Sequence, residues 1–262
     1  MKITPAHGGP PHWTTWGVPV TAAGLALLVL ISGIHQPLFL AINQASRYTG
    51  DALWANLTIL GDGLVVFALV LPFVGRRPDA VWALLLTGLL AALATHGLKT
   101  LIGGGRPAAL LPLESFHVIG PMLQSGSFPS GHTIAAFSFA GAVSLLFHRP
   151  WLTAALVTLA TLAGLSRIVV GAHWPLDVLG GAAIGWLCAA GGVAWARRWP
   201  WGLRVGAQRS FAIVLTITAL AVAGGFDTGY AQAAWMQSII GATILAVSLP
   251  AVIRLFKPAP KT

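Results

Sequence analysis

The sequence predicts an all-α fold, a polytopic bundle of transmembrane helices. The first observation behind this is composition. Of the 262 residues, 56% are apolar and 8% charged, with a mean hydropathy of +0.80, whereas a soluble domain holds about 45–50% apolar and ~25% charged residues. The second is distribution. Apolar residues gather into eight runs, at 16–34, 53–75, 79–101, 131–148, 152–171, 176–196, 209–226 and 234–256, most of them within the roughly 17–25 residues that a spanning helix needs. The third is periodicity, because the runs do not alternate apolar with polar residues as the strands of a membrane barrel would.

Residues 1–15, "MKITPAHGGPPHWTT", are rich in Pro and Gly, and run 16–34 lacks a small-residue cleavage site. It is therefore expected to be a retained first helix. Run 53–75 is the least regular, since "NLTILGDG" interrupts it. Asp62 there is either a helix-break residue or a polar partner for a site. Runs 79–101 and 131–148 flank the longest polar interruption, 102–130. Residues 197–209, "RRWPWGLRVGAQR", divide six segments from a final pair and set a boundary between 1–196 and 197–262. Trp13, Trp16, Trp151, Trp199, Trp201 and Trp235 fall at segment ends, where amphipathic indoles favour the headgroup layer. The lone cysteine, Cys188, excludes an internal disulfide and a cysteine metal cluster.

A net charge of +9 raises the question of nucleic acid, but position matters more than total. If the N-terminus is cytoplasmic and every run crosses, Lys2, Arg76, Arg77, Arg149, Arg197, Arg198, Arg204, Arg209, Arg254, Lys257 and Lys261 share one side. Arg47, Lys99, Arg106 and Arg167 take the other, and eleven plus four accounts for all fifteen. That bias follows the positive-inside rule. The expectation is a multi-pass protein of a bacterial-type inner membrane, both termini cytoplasmic, with no nucleic-acid partner.

Three polar clusters break the apolar pattern, all on the predicted outer face: "KTLIGGGRP" with Lys99 and Arg106, "PSGH" at 129–132, and "SRIVVGAHWPLD" with Ser166, Arg167, His173 and Asp177. Lys and Arg beside a glycine run suit an oxyanion, because Arg donates in a fork and glycine lets backbone N–H groups approach. Ser130 and Gly131 open a helix whose N-terminus offers free amides and a positive dipole end. His173 and Asp177 are four apart and share a helical face. A carboxylate on one imidazole nitrogen fixes the tautomer and leaves the other as a nucleophile, while His132 is placed to protonate a leaving oxygen. The six acidic residues, Asp51, Asp62, Asp79, Glu114, Asp177 and Asp227, are scattered, whereas a two-metal phosphatase clusters its ligands. Together these features describe phosphoryl transfer that uses no metal or other cofactor.

K-x6-RP (99–107), PSGH (129–132) and SR-x5-H-x3-D (166–177) resemble, in order, the three-part signature of the type 2 phosphatidic acid phosphatase superfamily, the lipid phosphate phosphatases. The resemblance covers about 53–196 and implies a six-helix phosphatase core. The final pair of helices lies beyond it. By resemblance, Lys99, Arg106 and Arg167 clamp phosphate with Ser130 and the Gly131 backbone. His173 attacks phosphorus, Asp177 orients it, and His132 protonates the leaving group and then helps activate water. The implied substrate is a membrane lipid phosphate of the undecaprenyl pyrophosphate, phosphatidylglycerol phosphate, phosphatidic acid or lipid A type, cleaved at the outer leaflet. Transfer to an acceptor lipid, hydrolysis of a soluble ester, and transport are the alternatives. His96 one turn before Lys99, and His117 and Glu114 in the long loop, either border the site or serve packing and solvent. Oligomeric state is not legible.

Overall fold

The computed structural model describes residues 12–257 and contains twelve α-helices among them. In order these are α1 (His12–Ser32), α2 (His35–Asn43), α3 (Ser46–Thr49), α4 (Asp51–Ile59), α5 (Gly63–Ala68), α6 (Pro78–Ile102), α7 (Pro107–Leu110), α8 (Gly131–Phe147), α9 (Pro150–Val169), α10 (Pro175–Arg198), α11 (Val205–Ala223) and α12 (Ala234–Phe256). Six of these are long and apolar enough to cross a membrane. The other two predicted runs are α8, 17 residues long, and the pair α4–α5, which bends by 48°. The bend explains the irregularity at "NLTILGDG". Asp62 sits at its apex as the N-cap of α5, its carboxylate accepting from the amides of Leu64 (2.9 Å) and Val65 (3.2 Å). Of the two sequence readings, it is the helix-break residue.

Local sequence sets the other boundaries. Pro78, Pro150 and Pro175 each occupy a first helical position, where a missing N–H removes no helical bond and φ is already suitable. The centre of the bundle is α10, which packs on α8, α6, α1 and α9. Glycine makes that approach close. A Cβ on Gly181 would meet Ser130 O and Thr133, and one on Gly185 would meet the backbone of Ile134. Between helices in lipid, small residues of this kind allow tight backbone contact. Trp186 of α10 is buried and donates to Thr14 O (3.0 Å), tying α1 to the bundle.

Gly185→Val is therefore expected to overpack the α8–α10 contact and destabilise the protein by about 1–3 kcal/mol. Thermal denaturation in detergent would show this as a lowered midpoint, and an unchanged midpoint would count against the close contact.

Helix direction alternates, so the chain gathers its loops at two ends. One end holds 33–50, 102–130, 170–174 and 224–233, knitted by Asn43 Nδ2 donating to His117 O and Val169 O (2.8 Å each) and by Ile119 N donating to Val170 O (3.1 Å). The other holds an aromatic group of Trp82, Trp195, Trp199, Trp201 and Phe211, with Trp82 Nε1 donating to Trp199 O (2.6 Å). All three polar clusters lie at the first end. Helices α11 and α12 pack on each other and against α5 and the turn after it. Leu215, Ala219, Val222 and Ile244 share one buried cluster with Val65, Leu71, Ala142 and Ala189.

Candidate active site

The corner between α9 and α10 builds the centre of the site. Pro175 starts α10, which puts Asp177 in its first turn with a carboxylate oxygen turned back to the Trp174 amide (2.9 Å). The same Oδ2 accepts from Ser127 Oγ (2.6 Å) and lies 3.2 Å from His173 Nδ1. Gly171 turns the corner at φ +77° with His117 O against it, a place where no side chain fits. The amides of Ala172 and His173 both donate to Arg167 O (3.1 Å each), so the loop is fixed to the end of α9. His173 is 2% exposed and Asp177 4%.

The tautomer of His173 follows from its neighbours. Nδ1 faces a carboxylate and carries the hydrogen. Nε2 lies 3.1 Å from Arg106 Nη1, and a guanidinium only donates, so Nε2 presents its lone pair. Burial drives the imidazole down to about 3; the Asp177 hydrogen bond pulls the other way, while the Arg106 and Arg167 charges add to burial. His173 is a neutral, oriented imidazole with one basic nitrogen.

Around it stands a cradle of cations. The segments 103–106 and 124–127 pair through a bridge between Gly105 and Ser125, with Arg106 N donating to Gln124 O (2.9 Å). Gly126, at φ +63°, turns its carbonyl toward Lys99 Nζ (2.8 Å) and Arg106 Nη2 (3.2 Å). Arg106 also donates from Nε to Ser125 O (2.9 Å) and from Nη1 to Ala172 O (2.9 Å). With the His173 contact, four of its five N–H bonds are in use. Burial, then the nearby Arg167 charge, lowers Arg106 to about 10. Arg167 donates from Nη1 to Thr58 Oγ1 (2.5 Å) and Tyr230 OH (2.7 Å), and its buried Nε has no partner.

The start of α8 joins the cluster through backbone, Ser130 N donating to Asp177 O (3.0 Å). Ser130 was expected among the phosphate contacts. Its hydroxyl is fully buried and accepts from Thr133 Oγ1 (2.9 Å) and Thr133 N (3.4 Å), so it caps the helix. Among the described residues the amides of Gly131 and His132 bond to no protein acceptor. His132 is within electrostatic reach of Arg167, His173, Lys99 and Arg106. It also lines a cavity of about 560 Å³ that runs along α6 and α8, bounded by Gly61, Phe67, Leu84, Gly88, Ala92, His96, Ala135 and Phe139. His96 thus borders this cavity, whereas His117 pairs with Asp51 (2.8 Å) at the surface and Glu114 is exposed. No group of three or more His, Cys, Asp or Glu among the described residues is arranged to hold a metal ion.

The family model of the PAP2 superfamily matches residues 80–201, a stretch containing all three polar clusters. An undecaprenyl-diphosphatase of Sulfolobus acidocaldarius is 31% identical over 157 residues, 58% of this chain and 74% of that protein. The chain belongs to the PAP2 superfamily. Some relatives match a shorter stretch. A lipid A 1-phosphatase of Rhizobium etli is 37% identical over 42% of this chain and 47% of its own length. The chain spans under half the length of several curated relatives it matches. Among solved structures, Aquifex aeolicus LpxE is 35% identical with a TM-score of 0.56, covering 62% of this chain and 95% of that one.

Three residues of this PAP2 site were not found from sequence. Ser127 was in plain view, one residue before Phe128 and within the polar stretch, but nothing marked its hydroxyl as a partner of Asp177. Thr58 and Tyr230 lie outside the PAP2 match, neutral and in no motif, and only the folded chain brings them to Arg167.

Proposed function

We propose that this PAP2 protein is a membrane lipid phosphatase, acting on a lipid phosphomonoester or diphosphate through a phosphohistidine at His173. The observation that carries the reading is the paired contact of one buried neutral imidazole, Nδ1 on Asp177 and Nε2 against Arg106. In the first step the Nε2 lone pair attacks phosphorus, the bond to the leaving oxygen breaks, and His132 gives that oxygen a proton. As phosphate reaches Nε2, the Arg106 N–H bonded there turns to a phosphate oxygen, joining the one Nη2 hydrogen that is free. Lys99, with two unused hydrogens, Arg167 Nε and the Gly131 and His132 amides complete the cradle. Such preorganised donors act most strongly where charge gathers in the transition state. In the second step water attacks the phosphorus, His132 takes its proton, and the P–N bond breaks to release phosphate and restore the imidazole.

The cavity supports a lipid substrate. Its lining is largely aliphatic and aromatic, and it follows α6 from His96 to Leu84, a rise of about 18 Å at ~1.5 Å per residue. That approaches one leaflet of a hydrocarbon core of about 30 Å. A head group on His173 with a chain along α6 and α8 matches this arrangement. The names of the relatives, an undecaprenyl-diphosphatase and a lipid A 1-phosphatase, support a substrate of the same lipid phosphate class. The basic bias of the sequence supports a site at the outer, periplasmic face with both termini cytoplasmic, and we read 1–196 as the phosphatase core with an added helical pair in 197–262.

The test is phosphate release in detergent from a long-chain prenyl diphosphate, a lipid monophosphate and the soluble ester p-nitrophenyl phosphate. Ala135→Phe, which fills the cavity beside the helix start, is expected to raise KM for the lipids about tenfold or more and leave the soluble ester within about twofold. Equal effects on all three would remove the cavity from the argument, and no release from any lipid would end the proposal.

A further inference from the structure

We infer that the C-terminal helical pair completes the phosphate cradle, with Tyr230 acting as a positioning residue for Arg167. This rests on the reading of Arg167 as a phosphate ligand. Tyr230 belongs to the connection between α11 and α12, outside the PAP2 match. It is 3% exposed and packs with Ile119, Val170 and Ala233. Its ring abuts Gly120, whose φ of +79° and lack of a side chain leave room for it.

The contact with Arg167 has a definite chemical form. Both hydrogens of Nη1 are engaged, one by Tyr230 OH and one by Thr58 Oγ1, and the guanidinium carbon stands 5.7 Å from the Tyr230 ring centre. Two neutral hydroxyls therefore hold one corner of the guanidinium without neutralising it. No carboxylate pairs with Arg167 among the described residues. The opposite edge keeps Nε, buried and without a partner. A carboxylate in place of the phenol would have fixed the side chain equally well and cancelled the charge that an anion needs. A hydroxyl fixes it and leaves the charge intact. The site is thus assembled from the motif-bearing helices plus two outside contributors, Thr58 from the bent span and Tyr230 from the final pair.

The test uses full-length protein in detergent and inorganic phosphate as the probe, its affinity measured by ligand-dependent thermal shift. Tyr230→Phe keeps the ring and removes the hydroxyl. Phosphate affinity is expected to weaken about tenfold, which is ~1.4 kcal/mol, while the ligand-free melting temperature stays within about 2 °C. Thr58→Val is expected to act in the same direction. In an Arg167→Lys background, Tyr230→Phe should change phosphate affinity by less than about twofold, because the two substitutions remove one interaction. Losses that multiply instead, or a Tyr230→Phe protein that binds phosphate as the wild type does, would overturn the inference and leave the phosphatase reading intact. A wild type that binds no phosphate and releases none from lipid would overturn both.

Discussion

His173→Ala is expected to abolish phosphate release, by roughly 10⁴–10⁶-fold in kcat, as removal of a covalent nucleophile does when the rest of the site remains. The protein should stay folded. Asp177 would keep two of its donors, Ser127 Oγ and the Trp174 amide, so its buried carboxylate is not orphaned, and the loop retains the bonds of residues 172 and 173 to Arg167 O. Arg106 loses its contact with Nε2 but keeps three carbonyl partners. The measurement is single-turnover phosphate release beside a melting curve. Release within about tenfold of wild type, with the melting midpoint preserved, would move the nucleophile elsewhere.

Asp177→Asn carries the second large effect, about 10²–10⁴-fold in kcat. An amide has nearly the volume of the carboxylate and still offers an oxygen to Ser127 and Trp174. What it lacks is charge. In the proposed phosphohistidine step the imidazole becomes cationic as Nε2 bonds to phosphorus, amid Lys99, Arg106 and Arg167, and Asp177 is the group bonded to Nδ1 that offsets this. The loss should therefore fall on the chemical step. Binding of inorganic phosphate to the more positive site should be unchanged or tighter. A raised KM with kcat preserved would mean that Asp177 serves only to hold substrate.

How much of this was legible beforehand follows from the kind of residue involved. In a chain with few charges, Lys99, Arg106, Arg167 and Asp177 stand out because lipid offers them no reason to be there. Their spacing, with His132 and His173, was enough to define the candidate site. Helix existence was legible for the same reason, since long apolar runs have few alternatives in a bilayer. The sequence left Asp62 between two roles because a cap and a site partner use the same carboxylate. Only its bonds to Leu64 and Val65 distinguish them. Ser130 read as a phosphate contact from its place at a helix start, and the direction of its hydroxyl is a matter of rotamer. Tyr230 and Thr58 gave no signal at all, because a neutral hydroxyl has an ordinary place in any loop or helix and its importance lies in what folds against it.

The bend between α4 and α5 has one more implication. Hydrocarbon offers no hydrogen bonds, so a helix interrupted in mid-bilayer survives only where protein shields its turn. Here residues 60–62 rely on short-range bonds, Gly61 N to Thr58 O and Asp62 N to Ile59 O, and on the Asp62 cap. Helices α11 and α12 lean on the six-residue stub that follows, and the Arg76 side chain reaches Val247 O (2.6 Å). The added pair thus braces the stub that follows the break, while α8 covers the turn itself, with Gly61 against the His132 carbonyl at the head of the cavity.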